Sequence, residues 1–127
     1  MNTRTLAPPG ITAELLLDIF DLPISFHRCL VPITGGVTAA LMLSQAIWTT
    51  QELAPLSDGW FCKSKQQWTE DTGLSRSEQE TARRALRNSG FLEERRVGMP
   101  AKLSFRVRPD LIWRALQAQA AHSNVSN

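Results

Sequence analysis

Two helix-start signals stand eleven residues apart in the middle of this chain: Ser64-Lys-Gln-Gln67 and Ser75-Arg-Ser-Glu78. Both fit the capping box, in which a serine caps the first turn and the glutamine or glutamate three places on reaches back to it. Gly73 lies where a left-handed C-cap belongs for the first helix, and Gly90 does the same for the second. Only "TGLS" separates the two helices. A pair of capped helices joined by so short a glycine-containing turn has to meet at an angle and share a core, which is the helix-turn-helix arrangement, over about 64–90. Trp68 and Leu74 are the expected anchors of that core.

The flanking sequence supplies the rest of one domain, consistent with a length of 127 residues. "ITAELLLDIF" has helical spacing and Thr12 as its cap, and "GWFCKS" is a short strand candidate. "VTAALMLSQAIWTTQEL" repeats apolar residues at three and four places through Val37, Ala40, Leu41, Ser44, Ile47 and Trp48, and predicts a central core helix. After Gly90, "FLEERRV" and "KLSFRVR" flank "GMPA". The second alternates, with Leu103, Phe105 and Val107 on one face and Lys102, Ser104, Arg106 and Arg108 on the other, so a β-hairpin is expected over about 91–108. Pro109 and Asp110 open a last helix, expected over about 109–121. The fold class is therefore mainly α with a small antiparallel β-hairpin. One domain spans 11–121, between a flexible arm at 1–10 containing "APPG" and a flexible polar tail at 122–127.

Charge is distributed unevenly. Residues 1–74 carry four Lys/Arg against seven acids, a net of −3, whereas residues 75–108 carry nine against four, a net of +5. A polyanion partner would explain this asymmetry, and so would a solvated charged face. Cys29 and Cys62 show no zinc spacing, and His27 and His122 form no cluster with them, so no metal is expected. No signal peptide is read at the start, and the cysteines are expected reduced and packed in a cytoplasmic protein. Residues 29–51 contain no charged side chain, yet Pro32, Gly35 and Gly36 interrupt them. The helical part is roughly 22 Å long, short of the roughly 30 Å of a bilayer core, so no membrane span is expected. No nucleophile motif, glycine-rich phosphate loop or metal spacing is present, so neither an enzyme nor a cofactor is expected.

The stretch "WTEDTGLSRSEQETARRALRNSGFLEERRVGMPAKLSFRVRPDLI" resembles the winged helix-turn-helix domains of bacterial, phage and plasmid proteins, including replication initiation proteins and regulators. "TAALMLSQAIW" upstream resembles the first helix of the replication-type members. The resemblance covers roughly residues 24–115. It implies a winged helix-turn-helix with extra N- and C-terminal helices, whose second helix enters the major groove and whose hairpin meets the backbone or minor groove beside it.

A helical wheel tests that implication. Advancing 100° per residue, Gln79, Ala82, Leu86 and Ser89 share the side that would pack inward. Ser77, Glu80, Thr81, Arg84 and Asn88 fall opposite, with Arg76 and Arg87 flanking them and Arg83 nearer the core edge. Arginine bonds guanine bidentately, asparagine suits adenine, and serine and threonine are permissive, so this strip suits a major groove. Arg95, Arg96 and Lys102 would serve on the wing, although neighbouring Arg95 and Arg96 must point to opposite sheet faces. Lys65, with Lys63, could contact phosphate. Glu80 opposes a DNA reading unless it accepts from cytosine or holds Arg84.

The expected function is sequence-specific binding of double-stranded DNA in replication initiation or transcriptional regulation. The alternative is a winged helix used as a protein-protein interaction module, for a replication or regulatory protein partner. Apolar residues on the first helix (Leu15, Leu16, Ile19) and the last (Leu111, Ile112, Leu116) exceed what a compact core needs and point to a homodimer.

Overall fold

The computed structural model describes residues 10–53 and 55–126. In chain order these form α1 (Ala13–Ile19), a 3₁₀ turn (Arg28–Leu30), α2 (Val31–Thr34), α3 (Val37–Gln51) and a second 3₁₀ turn (Pro55–Ser57). Then follow β1 (Phe61–Cys62), α4 (Lys65–Thr72), α5 (Arg76–Ser89), β2 (Leu92–Val97), β3 (Lys102–Val107) and α6 (Pro109–Ser126). The chain is thus mainly helical, with one small antiparallel sheet of order β1-β3-β2.

Both capping boxes form. The Ser64 and Ser75 hydroxyls accept from the Gln67 and Glu78 N–H groups, and the Gln67 and Glu78 side chains accept from the serine N–H groups in return. Gly73 and Gly90 end their helices at φ 78° and 83°, in the left-handed region that glycine enters without a Cβ penalty. The turn between α4 and α5 is closed by Gln79. Its buried amide donates to the Lys65 carbonyl, to Thr69 Oγ1 and to the Leu74 carbonyl, so one side chain pins α5 across α4.

The sheet holds one more strand than a hairpin. Phe61 pairs with Phe105 and Cys62 with Ser104, while β2 and β3 pair from Leu92↔Val107 to Val97↔Lys102. The extra strand is the one expected in "GWFCKS", and it forms over Phe61–Cys62; what the sequence left unstated is its partner, β3. This register stacks Phe61, Phe105 and Trp68 into one aromatic cluster, with Trp68 meeting Phe105 edge-on at 5.4 Å and 88°. Leu74, Ala82, Leu86, Phe91, Leu92, Val107 and Ile112 belong to the same core, together with Leu30 and the buried apolar side of α3.

Several sequence expectations change. In α3 the buried set is Ala39, Ala40, Met42, Leu43, Ser44, Gln45 and Ala46, while Val37 and Trp48 are 60% and 56% exposed. Ala40 and Ser44 of the expected stripe are buried and Leu41 and Ile47 pack against the core, so the expectation holds there and fails at Val37 and Trp48; a helix this apolar has no sharp stripe to bound its inner side. Trp113 is also mostly exposed, and of the four tryptophans only Trp68 is fully buried. Cys29 and Cys62 are free but exposed rather than packed. α6 runs through Ser126, past the expected end near 121, because "AQAAHSNVS" contains no glycine or proline to stop it. Apart from Gly10, the expected arm at 1–10 lies outside the described residues. Among the described residues no single helix is long and apolar enough to cross a membrane.

Candidate functional site

α5 buries Gln79, Ala82 and Leu86 and exposes Arg76, Ser77, Glu80, Thr81, Arg84, Arg87 and Asn88. The wheel expectation for the buried side holds except at Ser89, which is exposed. The outward strip is therefore real as a surface. Its arginines, however, are not equivalent, because β2 packs alongside α5 and supplies a carboxylate.

That carboxylate is Glu94. Arg83 Nε and Nη2 donate to its two oxygens at 2.9 and 2.8 Å, and Arg87 Nη1 adds a third bond at 3.1 Å. Arg83 and Glu94 side chains are only 11% and 8% exposed, so this bidentate pair is a structural clamp between helix and hairpin. Burial pulls the Glu94 carboxyl upward, but the Arg83 and Arg87 guanidiniums outweigh it and hold it below the usual carboxylate range. Arg83 in turn is held protonated more firmly than an ordinary arginine, chiefly by its hydrogen bond to Glu94.

A pH dependence follows. A carboxyl whose folded pKa is depressed contributes stability above its unfolded value, about 4.3 for glutamate, and loses it as pH falls through the folded value. Glu94→Gln should therefore be less stable than the parent at pH 7, and the difference should shrink below about pH 4. Urea midpoints from pH 7 to pH 3 measure this; a gap that is absent at pH 7, or that persists unchanged at pH 3, would contradict the clamp.

Of the two roles open to Glu80 in the sequence, holding Arg84 is not the one the structure shows. Its carboxylate meets Arg83 Nη1 at 2.8 Å, an i,i+3 contact. Arg83 is fixed by Glu94 and stands ready for it, whereas Arg84 points away from that clamp by one residue's rotation. Arg84 is left with no ion pair or side-chain hydrogen bond among the described residues, and it is exposed.

The hairpin separates its arginines by face. Arg95 stacks on the Trp60 ring, with its guanidinium carbon 3.9 Å from the centroid, and Arg106 lies over the same ring at 4.9 Å. Arg106 and Arg108 are further tied to Glu93, Asp58 and Asp110. Arg96 faces the other way, with Glu94. It lines a cleft of about 640 Å³ between the start of α4, α5 and the hairpin, together with Lys65, Lys102, Glu80 and Arg83. Lys63 also lines the cleft but is committed inward. Its ammonium contacts Asp71 at 2.6 Å and Thr49 Oγ1 at 3.1 Å, and sits 4.6 Å over the Trp68 ring.

Of the ten residues selected from sequence, Arg76, Ser77, Thr81, Arg84 and Asn88 share the open face of α5, and Lys65, Arg96 and Lys102 share the adjoining cleft. Arg87 is drawn to Glu94, and Arg95 lies on the opposite sheet face against Trp60. Glu94 and Trp60 were missed as organising residues. The hairpin alternation carried the signal for Glu94, since Leu92, Glu94 and Arg96 share a face of β2 and Leu92 is core. Among the described residues no group of three or more His, Cys, Asp or Glu side chains could hold a metal. No protein-family model, curated protein or solved structure matches this chain.

Proposed function

We propose that this chain is a winged helix-turn-helix domain that binds double-stranded DNA sequence-specifically, in replication initiation or transcriptional regulation. One observation carries the reading. When every ion pair and ring contact of residues 75–108 is assigned, the cations left over are Arg76, Arg84, Arg96 and Lys102. They are not scattered. Two lie on the exposed side of α5 and two on the hairpin beside it, with unpaired Lys65 next to them at the start of α4.

The acids that argued against DNA are accounted for on the same terms. Glu78 is spent in its capping box, Glu80 is neutralised by Arg83, and Glu94 is enclosed by Arg83 and Arg87. The exposed strip thus presents Arg84 for a guanine edge and Asn88 for an adenine edge, with Ser77 and Thr81 between them. Arg76, Lys65, Arg96 and Lys102 suit phosphates, which position the domain without reading sequence.

Four phosphate contacts set a salt dependence. The logarithm of the association constant should fall with the logarithm of salt concentration at a slope of about −4. Anisotropy titrations of labelled duplexes from a random pool, between about 50 and 200 mM salt, measure it. A flat slope, or no binding at micromolar protein in low salt, would leave the protein-interaction reading in its place.

A further inference from the structure

The cleft between α4, α5 and the hairpin gathers more positive charge than its walls neutralise. Lys63, Lys65, Arg83, Arg96 and Lys102 line it, against the single carboxylate of Glu80. Lys63 is held by Asp71, and Arg83 by Glu80 and Glu94. Lys65, Arg96 and Lys102 are exposed and carry no ion pair among the described residues. A concave site walled by one sign of charge focuses its field on an anion.

The occupant is more than a bare anion. At about 640 Å³ the cleft has the size of a small-molecule site, which runs from roughly 300 to 1,000 Å³. Trp68, Leu103 and Phe105 also line it and offer apolar surface to an organic body.

Two orphaned atoms define what that body must present. Among the described residues, the buried side-chain polar atoms without a hydrogen-bond partner are Trp68 Nε1 and Gln79 Oε1. Both residues line this one cleft, Trp68 from α4 and Gln79 from α5, and they are 1% and 2% exposed. Folded interiors leave few such atoms unpaired, so two around one cleft call for a common partner. The Gln79 amide nitrogen already donates to Lys65, Thr69 and Leu74, which fixes the amide and leaves its oxygen as the free end. The indole N–H only donates and the amide oxygen only accepts. The matching ligand edge therefore carries an acceptor and a donor.

We infer that the cleft binds a nucleoside phosphate. The phosphate meets Lys65, Arg96 and Lys102 through charge-assisted hydrogen bonds, and the base supplies the flat apolar face and the donor–acceptor edge. Trp68 Nε1 and Gln79 Oε1 are enclosed, so the base reaches them only as flexible side chains of the wall, Lys65 and Gln67 among them, move aside. The three cations are the ones assigned above to duplex phosphates, so a bound nucleotide competes with a duplex for them. The site itself does not rest on the DNA reading, and its test contains no DNA.

The four nucleoside 5′-monophosphates are titrated separately into the ¹⁵N-labelled full chain, with the Trp68 indole N–H signal as readout. At least one should shift that signal saturably, with a dissociation constant of about 1 mM or tighter. Inorganic phosphate alone and the corresponding nucleoside alone should each bind at least about tenfold more weakly, because each makes only part of the contacts. Arg96→Gln and Lys102→Gln change exposed side chains and should keep the fold. Each should weaken the nucleotide about tenfold or more, the worth of one hydrogen bond to a charged group. Arg84→Gln, outside the cleft, should leave the affinity unchanged. A Trp68 signal that none of the four moves, inorganic phosphate binding as tightly as the nucleotide, or an equal loss in Arg84→Gln would each overturn the assignment.

Discussion

Trp68→Ala should destabilise the chain by about 3–5 kcal/mol, the usual cost of truncating a large aromatic in a packed core. A domain of this size has roughly 5–15 kcal/mol in total, so the variant should be partly unfolded at room temperature or close to it. The reason is position rather than size alone. Trp68 is 1% exposed and touches Phe61 and Phe105, which are the cross-strand pair joining β1 to β3. It also seats the Lys63 ammonium that reaches Asp71 and Thr49. Removing the indole loosens α4, the sheet and α3 together.

A second substitution separates packing from hydrogen bonding. The Trp68 indole N–H is buried without a partner among the described residues. An unsatisfied buried donor costs about 1–3 kcal/mol, so Trp68→Phe removes that cost while leaving a smaller cavity than alanine does. It should lose much less stability than Trp68→Ala. Urea denaturation of the two variants decides the matter: equal losses would mean that the indole N–H is satisfied and the aromatic cluster is not what joins the layers.

How much of this was legible beforehand follows from how local each feature is. The two capping boxes, the C-cap glycines and the β3 strand are set by residues two to four places apart, and they form as expected, except that Ser104 on the polar face of β3 is buried under Cys62. The inner side of α5 was readable for the same reason, because a strongly charged helix with two buried apolar residues has only one way to face inward. What could not be read depends on pairing across the chain. Glu94 reaches Arg83 and Arg87 only because β2 and β3 pair in the Leu92↔Val107 register, which puts β2 against α5. Trp60 becomes a seat for Arg95 only because β1 joins the sheet next to β3. In α3 the limitation is different in kind. Its sequence is apolar on almost every side, so periodicity places Ala40, Leu41, Ser44 and Ile47 against the core but does not bound the buried side, and the neighbours decide that Val37 and Trp48 face out.

The same pairing divides the arginines of α5 into two classes, and that division sets the second large effect. On the proposed function, Arg84→Ala should weaken binding to the preferred duplex by about 1–3 kcal/mol, or roughly 5- to 150-fold, and relax discrimination at one base position. Arg96→Ala should weaken preferred and scrambled duplexes alike and reduce the salt slope by about one, as expected for a phosphate contact. Arg83→Ala should behave as neither. Its guanidinium is committed to Glu94 and Glu80, so its loss leaves a nearly buried carboxylate with the Arg87 bond alone and lowers stability, with discrimination intact in the fraction that remains folded. Competitive titrations of the three variants against a selected and a scrambled duplex, alongside their urea midpoints, distinguish these outcomes. If Arg84→Ala binds both duplexes as the parent does, while Arg83→Ala alone changes discrimination, then the clamp rather than the open strip meets the DNA. The recognition surface would then have to be redrawn around Glu94, on the hairpin side of α5.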